Sequence, residues 1–240
     1  LWFLGDLDGV FVGTLIWVLT YFDQGETVPQ STEGFTEQLK EYPELLTSRR
    51  FWGYCLASAF SGGAYFAYLG GGPFVGSVVF DLSPEKLGIY FGAPAIGYFA
   101  GNFISGRYSV RFGIDAMILS GLNIILIGMT LSVILSYLGY ASVESFFGFM
   151  IFVGLGNGLC LPNATAGMLS VRPHLAGAAS GLGGSISIAG GAALSTLAGA
   201  ILVPGSTEMP LLLLMWVSSL AGVVLILSIR RRNKKLVLST

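Results

Sequence analysis

Chemistry needs groups that ionise, attack or ligate, and this sequence is short of them. Its single histidine, His174, sits in the polar turn Arg172-Pro173-His174, and its two cysteines, Cys55 and Cys160, fall inside apolar runs. A thiol so placed acts as a small buried hydrophobe rather than as half of a disulfide. Hydrolysis in an apolar setting wants serine beside histidine, paired aspartates or a His-Glu metal cluster. The apolar runs hold no Asp, Glu or His at mid-depth, so the enzyme reading falls away and no metal or cofactor is expected. What they do carry is rings and amides: Tyr54, Phe60, Tyr65, Phe66 and Tyr68, then Asn102, Asn157 and Asn163. A pocket for varied apolar molecules needs aromatic walls and a few polar groups that orient the guest. Tyr65 and Tyr68, three apart and so on one helical face, lead that candidate set, followed by Tyr54 and Phe66. Each ring either lines the pocket or packs against a neighbouring helix. An amide left unpaired in an apolar medium costs a few kcal/mol, so each Asn either bridges helices or faces an aqueous cavity.

Helices in lipid must position these groups. Of 240 residues, 53% are hydrophobic and 10% charged, which leaves too little polar surface for a soluble domain. A net charge of −1, with no basic face outside the tail, argues against nucleic acid as a partner. Crossing a bilayer takes roughly 20 apolar residues. Uncharged intervals run over 9–22, 51–80, 87–106, 116–143, 145–171, 173–207 and 209–229. The prediction is an all-α polytopic membrane protein with seven transmembrane helices. Alternating them across the bilayer puts every Lys and Arg except Lys86 on one side, which the positive-inside tendency makes cytoplasmic, together with the C-terminus. Asp81, Glu85, Glu144 and Glu208 fall opposite. The chain then divides into a first helix (1–22), a polar loop (23–50), a bundle (51–230) and a basic tail (231–240). Within the loop, Phe35, Leu39, Tyr42 and Leu46 recur at the spacing of a short helix lying on the membrane surface, interrupted by Pro43. A solvated linker is the alternative.

From Gly154 to Ala200 the only formal charge is Arg172, so this stretch reads as a helical hairpin in lipid. Gly177, Gly181, Gly184 and Gly191 recur at steps of three, four and seven, a small-residue face that lets helix backbones approach closely. Two hinge candidates follow from helix-breaking residues. Gly70-Gly71-Gly72-Pro73 is expected to break the second helix, with Gly72 and Pro73 as its hinge. The second lies between Asn157 and Pro162, with Gly158 and Pro162 as the pivots.

Several of these stretches carry a family resemblance. Gly154-Leu155-Gly156-Asn157-Gly158, the run Leu161 to Gly167, Val171-Arg172-Pro173 and the run Ala176 to Gly184 resemble the bicyclomycin/chloramphenicol-resistance (Bcr/CflA) branch of the major facilitator superfamily. Glu26-Thr27, Ser48-Arg49-Arg50-Phe51, Pro73-Phe74-Val75 and Arg111-Phe112-Gly113 extend the resemblance over essentially the whole chain. It implies twelve helices in two halves, of which this chain supplies the sixth helix, the central loop and the C-terminal half; the N-terminal half is then its partner. The implied activity is proton-coupled export of drugs across the bacterial inner membrane by alternating access, in a monomer. Its partners are a drug-like small molecule, protons and the lipid bilayer, and a proton gradient supplies the energy in place of a cofactor. An exporter of an endogenous small metabolite on the same scaffold is the alternative. The resemblance lines the central cavity with the helices at 51–80, 87–106, 145–171 and 173–202. The turn holding Arg107, Arg111, Gly113 and Asp115 is similar to the superfamily's gating loop after the eighth helix, where an Arg pairs with an acidic group or with helix C-terminal carbonyls. Topology anchoring is the other reading of those cations. Proton exchange needs an ionisable group within the membrane, which is expected in the absent half.

Overall fold

The computed structural model describes residues 13–15, 17–19, 22 and 42–238, with side chains to 228. The chain falls into two units, Leu1–Lys40 and Glu41–Thr240. In the first, the described residues are helical, and the remainder of the first helix and most of the polar loop lie outside the described set.

The second unit is a helical bundle, without strands among the described residues. α1 covers Arg49–Phe74, capped by Ser48, whose hydroxyl accepts from the Phe51 N–H at 3.3 Å. α2 (Pro84–Phe91) and α3 (Ala93–Phe112) form a single span from Pro84 to Phe112, offset at Gly92, where Pro94 in the first turn of α3 has no N–H to continue the ladder. Gly113, at φ +81°, is the whole connection to α4 (Ile114–Tyr137). The tight turn expected over 106–115 is therefore mostly helix, and one glycine suffices because it tolerates positive φ. α5 (Val143–Val171) starts from a Ser142/Ser145 capping box. A 3-10 turn over Pro173–Leu175 leads into α6 (Ala176–Ile201), and α7 (Met209–Leu238) runs as helix through the expected basic tail.

Among the described residues, five spans are long and apolar enough to cross a membrane, and α1 is not among them. Its Tyr, Ser and Gly content lowers its mean hydropathy, and α5, α6 and α7 pack along it. A helix sheltered by others has less need of an apolar surface.

The break expected at Gly72-Pro73 is absent. α1 runs through both residues and then widens into a π turn over Val75–Val79. Pro73 cannot donate, the Val75 N–H serves the Gly71 and Gly72 carbonyls, and the Ser77 hydroxyl donates to the Pro73 carbonyl at 2.7 Å. The glycines here make room for neighbours: a Cβ on Gly70 would lie 2.6 Å from the Ser195 carbonyl oxygen, and one on Gly71 would lie 2.8 Å from Leu202 and Leu211. α5 likewise continues through Gly158 and the exposed Pro162 without interruption.

Where helices touch backbone to backbone, the residues differ from those expected. A Cβ on Gly154 would lie 1.8 Å from the Pro94 oxygen, and one on Gly97 would lie 1.9 Å from the Ile151 oxygen. Gly101 and Gly158 continue this α3/α5 seam, while Gly121 and Gly156 make the corresponding α4/α5 contact. By contrast Gly177, Gly181 and Gly184 have open space around them; of the predicted stripe only Gly191 is packed, against Phe66. The reason is orientation: α6 seats Gly183, Gly190 and Gly191 on the bundle, while Gly177, Gly181 and Gly199 meet open space and Gly184 borders a cavity.

Two apolar clusters occupy opposite ends. One holds Tyr68, Phe146, Phe147, Met150 and Leu211, and the other Leu45, Phe51, Ile118, Met168 and Leu175. The second lies at the end rich in Arg, where residues 42–46 are helical and bury Leu45 while Leu46 stays exposed, one register off the expected stripe. There the Arg172 Nε donates to Glu44 Oε1 at 2.6 Å, between half-exposed side chains. Pairs of this kind contribute little. Glu44→Gln is expected to shift stability by less than about 1 kcal/mol in a thermal melt of the purified protein.

Candidate functional site

Two cavities open on the face shared by α1, α3, α5 and α6. The first, of about 350 Å³, lies among Tyr65 and Phe66 of α1, Pro94, Ala95 and Tyr98 of α3, and Gly154, Asn157 and Leu161 of α5. The second, of about 290 Å³, lies among Ser58, Gly62 and Phe66 of α1, Leu161, Thr165 and Met168 of α5, and Ser180, Gly184, Ser187 and Ile188 of α6. They meet at Phe66 and Leu161. No lining residue is charged.

Helical phase sorts the lining. Tyr65 and Phe66 are adjacent, about 100° apart around α1, so Phe66 reaches both cavities while Tyr65 faces α3. Pro94 and Tyr98 are four apart on α3, as are Asn157 and Leu161 on α5, and residues four apart share a face. Asn157 is the midpoint of α5, and its Oδ1 accepts from the Ser61 hydroxyl at 2.8 Å across to the middle of α1.

Of the residues predicted for binding, Tyr65, Phe66 and Asn157 come together here, and the rest lie elsewhere. Tyr68 is fully enclosed, stacked on Phe91 with centroids 4.7 Å apart and donating to the Phe91 carbonyl at 3.0 Å. The Tyr65 and Tyr68 rings stay neighbours, with centroids 6.4 Å apart, but Tyr68 points deeper into the core while Tyr65 borders the cavity. Asn163 is buried and bridges helices: its Nδ2 donates to Ser105 of α3 at 2.7 Å and to the Leu159 carbonyl at 2.8 Å. Asn102 donates to its own helix, to the Tyr98 carbonyl at 2.8 Å, and lines neither cavity. Sequence reasoning passed over Ser61, Tyr98 and Leu161; the four-residue spacing from Tyr65, Pro94 and Asn157 was the signal for each.

Tyr54 belongs to the other expected constellation. Its hydroxyl donates to Asp115 Oδ1 at 2.8 Å, linking the start of α1 to the start of α4. The Arg50 guanidinium donates to the same hydroxyl at 3.4 Å and lies 5.8 Å from the ring centroid. Gly167 of α5 seats the ring, since a Cβ there would fall 2.7 Å from it. Arg107 and Arg111 are exposed, and the Arg111 guanidinium lies 5.5 Å from the Phe112 ring centroid. The acidic residue of this turn thus engages a tyrosine from α1 instead of an arginine of its own turn.

At the opposite end two carboxylates pair with hydroxyls. Glu208, only 7% exposed, accepts from Ser136 and ties the start of α7 to the end of α4, while Tyr90 donates to Glu144 at 3.4 Å. Among the described residues no three His, Cys, Asp or Glu side chains converge as a metal site. The two cavities present apolar and hydroxyl-bearing walls.

Residues 8–196 match the sequence profile of the Major Facilitator Superfamily. The chain belongs to that superfamily. Membership makes this all-α protein a multi-pass membrane protein from a family of transporters, not of enzymes. Among the facilitator proteins it is similar to, an uncharacterized MFS-type transporter of Bacillus subtilis, YdgK, is 27% identical over 220 residues, which cover 89% of this chain and 53% of that protein. A bicyclomycin resistance protein homolog of Haemophilus influenzae is 28% identical over 184 residues, covering 76% of this chain and 45% of the relative. The chain therefore spans about half the length of the curated relatives it matches.

Proposed function

We propose that this facilitator is part of an efflux transporter of the bicyclomycin/chloramphenicol-resistance branch, exporting ring-bearing, drug-like compounds by proton-coupled alternating access. It works in the bacterial cytoplasmic membrane with the Arg-rich end and the C-terminus inside. The observation that carries the reading is the pair of joined cavities at Phe66, walled by rings and uncharged polar groups on four helices. The similarity to a bicyclomycin resistance homolog agrees with it. On this reading an N-terminal half completes the vestibule, which the exposed apolar residues Phe99 and Phe103 of α3 (77% and 69%) and Ile188 of α6 (63%), the last lining the second cavity, support. The proton-exchanging group then belongs to that other half, which is supported by the absence of Asp, Glu and His at mid-depth in the apolar runs of this sequence.

Expression of the complete coding sequence in an efflux-deficient bacterium tests this with a drug-susceptibility panel. Tolerance to uncharged ring-bearing compounds is expected to rise and to vanish with a protonophore. Truncating the shared ring by Phe66→Ala removes its apolar contact and is expected to weaken affinity by about tenfold or more. Membrane-inserted protein that alters tolerance to no compound would refute drug export. Hydroxyl groups of Ser58, Thr165 and Ser180 in the second cavity favour a small polar metabolite as the second reading; its sign would be loss of a metabolite from loaded cells with the drug panel unchanged.

A further inference from the structure

Among the described residues, one buried side-chain polar atom lacks a partner: Asn157 Nδ2. Asn157 is 3% exposed and lines the larger cavity. Other amides in the spans are treated differently by the fold. Asn102, Asn123 and Asn163 each turn Nδ2 onto the carbonyl four residues back, at 2.8 Å in every case. Asn157 instead gives its oxygen to Ser61, which leaves two N–H bonds unanswered beside a cavity of about 350 Å³. Leaving a buried donor unmade is costly, and a site built to hydrogen-bond a guest rejects the analogue that lacks the matching atom.

We propose that Asn157 is a specificity-determining donor, whose Nδ2 takes an acceptor oxygen, a carbonyl or ester, of an uncharged ring-bearing ligand held between Tyr65, Phe66 and Tyr98. The ligand is uncharged because no lining side chain would neutralise a charge. Its ring lies among the aromatic walls, which favour offset or edge-to-face contacts. This assignment rests on the reading of the cavity as a transport site and names what that site selects.

Binding to the purified full chain in nanodiscs tests it by ligand-observed NMR titration, with empty nanodiscs as the baseline. Three probes separate the contributions: benzyl acetate carries a ring and an acceptor, benzylammonium a ring and donors, and toluene a ring alone. Benzyl acetate is expected to bind about tenfold more tightly than either of the others. In Asn157→Leu that advantage disappears while toluene binding persists; Asn157→Asp, which replaces the donor by an acceptor, loses it too. Ser61→Ala, which leaves Asn157 in place, retains the preference and serves if either Asn157 variant fails to fold. Equal binding of the three probes to the unmodified chain overturns the inference, as does an acetate preference that survives Asn157→Leu or Asn157→Asp. If toluene and acetate bind and Phe66→Ala weakens both, while the Asn157 variants change nothing, only this inference falls. If no probe binds, or Phe66→Ala has no effect on any of them, the cavity is not a ligand site and the transport reading of it falls as well.

Discussion

Gly154→Ala is expected to abolish the folded bundle. The added methyl would sit 1.8 Å from the Pro94 carbonyl oxygen and within 2.8 Å of the Tyr98 nitrogen, far inside van der Waals contact. Both opposing atoms are backbone, so no side chain can rotate away, and relief requires α3 and α5 to part. Overpacking costs about 1–3 kcal/mol where side chains can adjust; here the cost is expected to exceed about 3 kcal/mol, because the Gly101/Gly158 contact further along the seam would be pulled apart too. In a fluorescent-fusion size-exclusion assay, Gly154→Ala and Gly97→Ala should lose the monodisperse peak. Gly177→Ala and Gly199→Ala, with nothing within 4 Å of the added carbon, should keep it. A monodisperse Gly154→Ala protein with an unchanged melting temperature would disprove the seam.

Asp115→Asn is expected to shift the conformational balance at the Arg-rich end by about tenfold to a hundredfold. The bond it weakens runs from the Tyr54 hydroxyl to a carboxylate at 2.8 Å and joins α1 to α4, with Gly167 of α5 behind the ring. Hydrogen bonds to charged groups contribute about 1.5–3 kcal/mol, and tenfold corresponds to about 1.4 kcal/mol. Tyr54→Phe removes the same bond from its other side, so the double variant should go no further than either single one. Accessibility of a cysteine introduced at position 107, read in membranes, measures the shift. The proton dependence of transport should stay intact, because Asp115 lies at the end of the bundle; a lost proton requirement would contradict this placement. A silent Tyr54→Phe beside an active Asp115→Asn would show that the two residues do not act as a pair.

Five of the expected spans were legible because a bilayer imposes a length and an apolar content that charge spacing reveals. Phase within a span was less so. In a soluble protein the polar face of a helix marks solvent, whereas here Tyr68 and Tyr65 are chemically alike and neighbours such as Phe91 and Phe147 decide which one is enclosed. The glycines show the same difficulty. Gly154 and Gly177 both sit in small-residue patterns, yet one opposes another helix's backbone and the other opposes open space, a difference fixed by the rotation of α6 relative to the bundle. Proline misled for a related reason: around Pro73 the backbone found acceptors through a π turn instead of breaking the helix. Asn157 stood out as an amide in an apolar run, but its unmet donor depends on Ser61 lying opposite, which no local pattern announces.

The glycine seams that join α5 to α3 on one side and α4 on the other have a mechanical consequence. Three helices fused backbone to backbone form a stiff slab that cannot flex internally without tearing its own seams. One wall of the larger cavity, bearing Tyr98 and Asn157, belongs to that slab; the other, bearing Tyr65 and Phe66, belongs to α1, which is pinned to α6 in turn where Gly70 meets the Ser195 backbone.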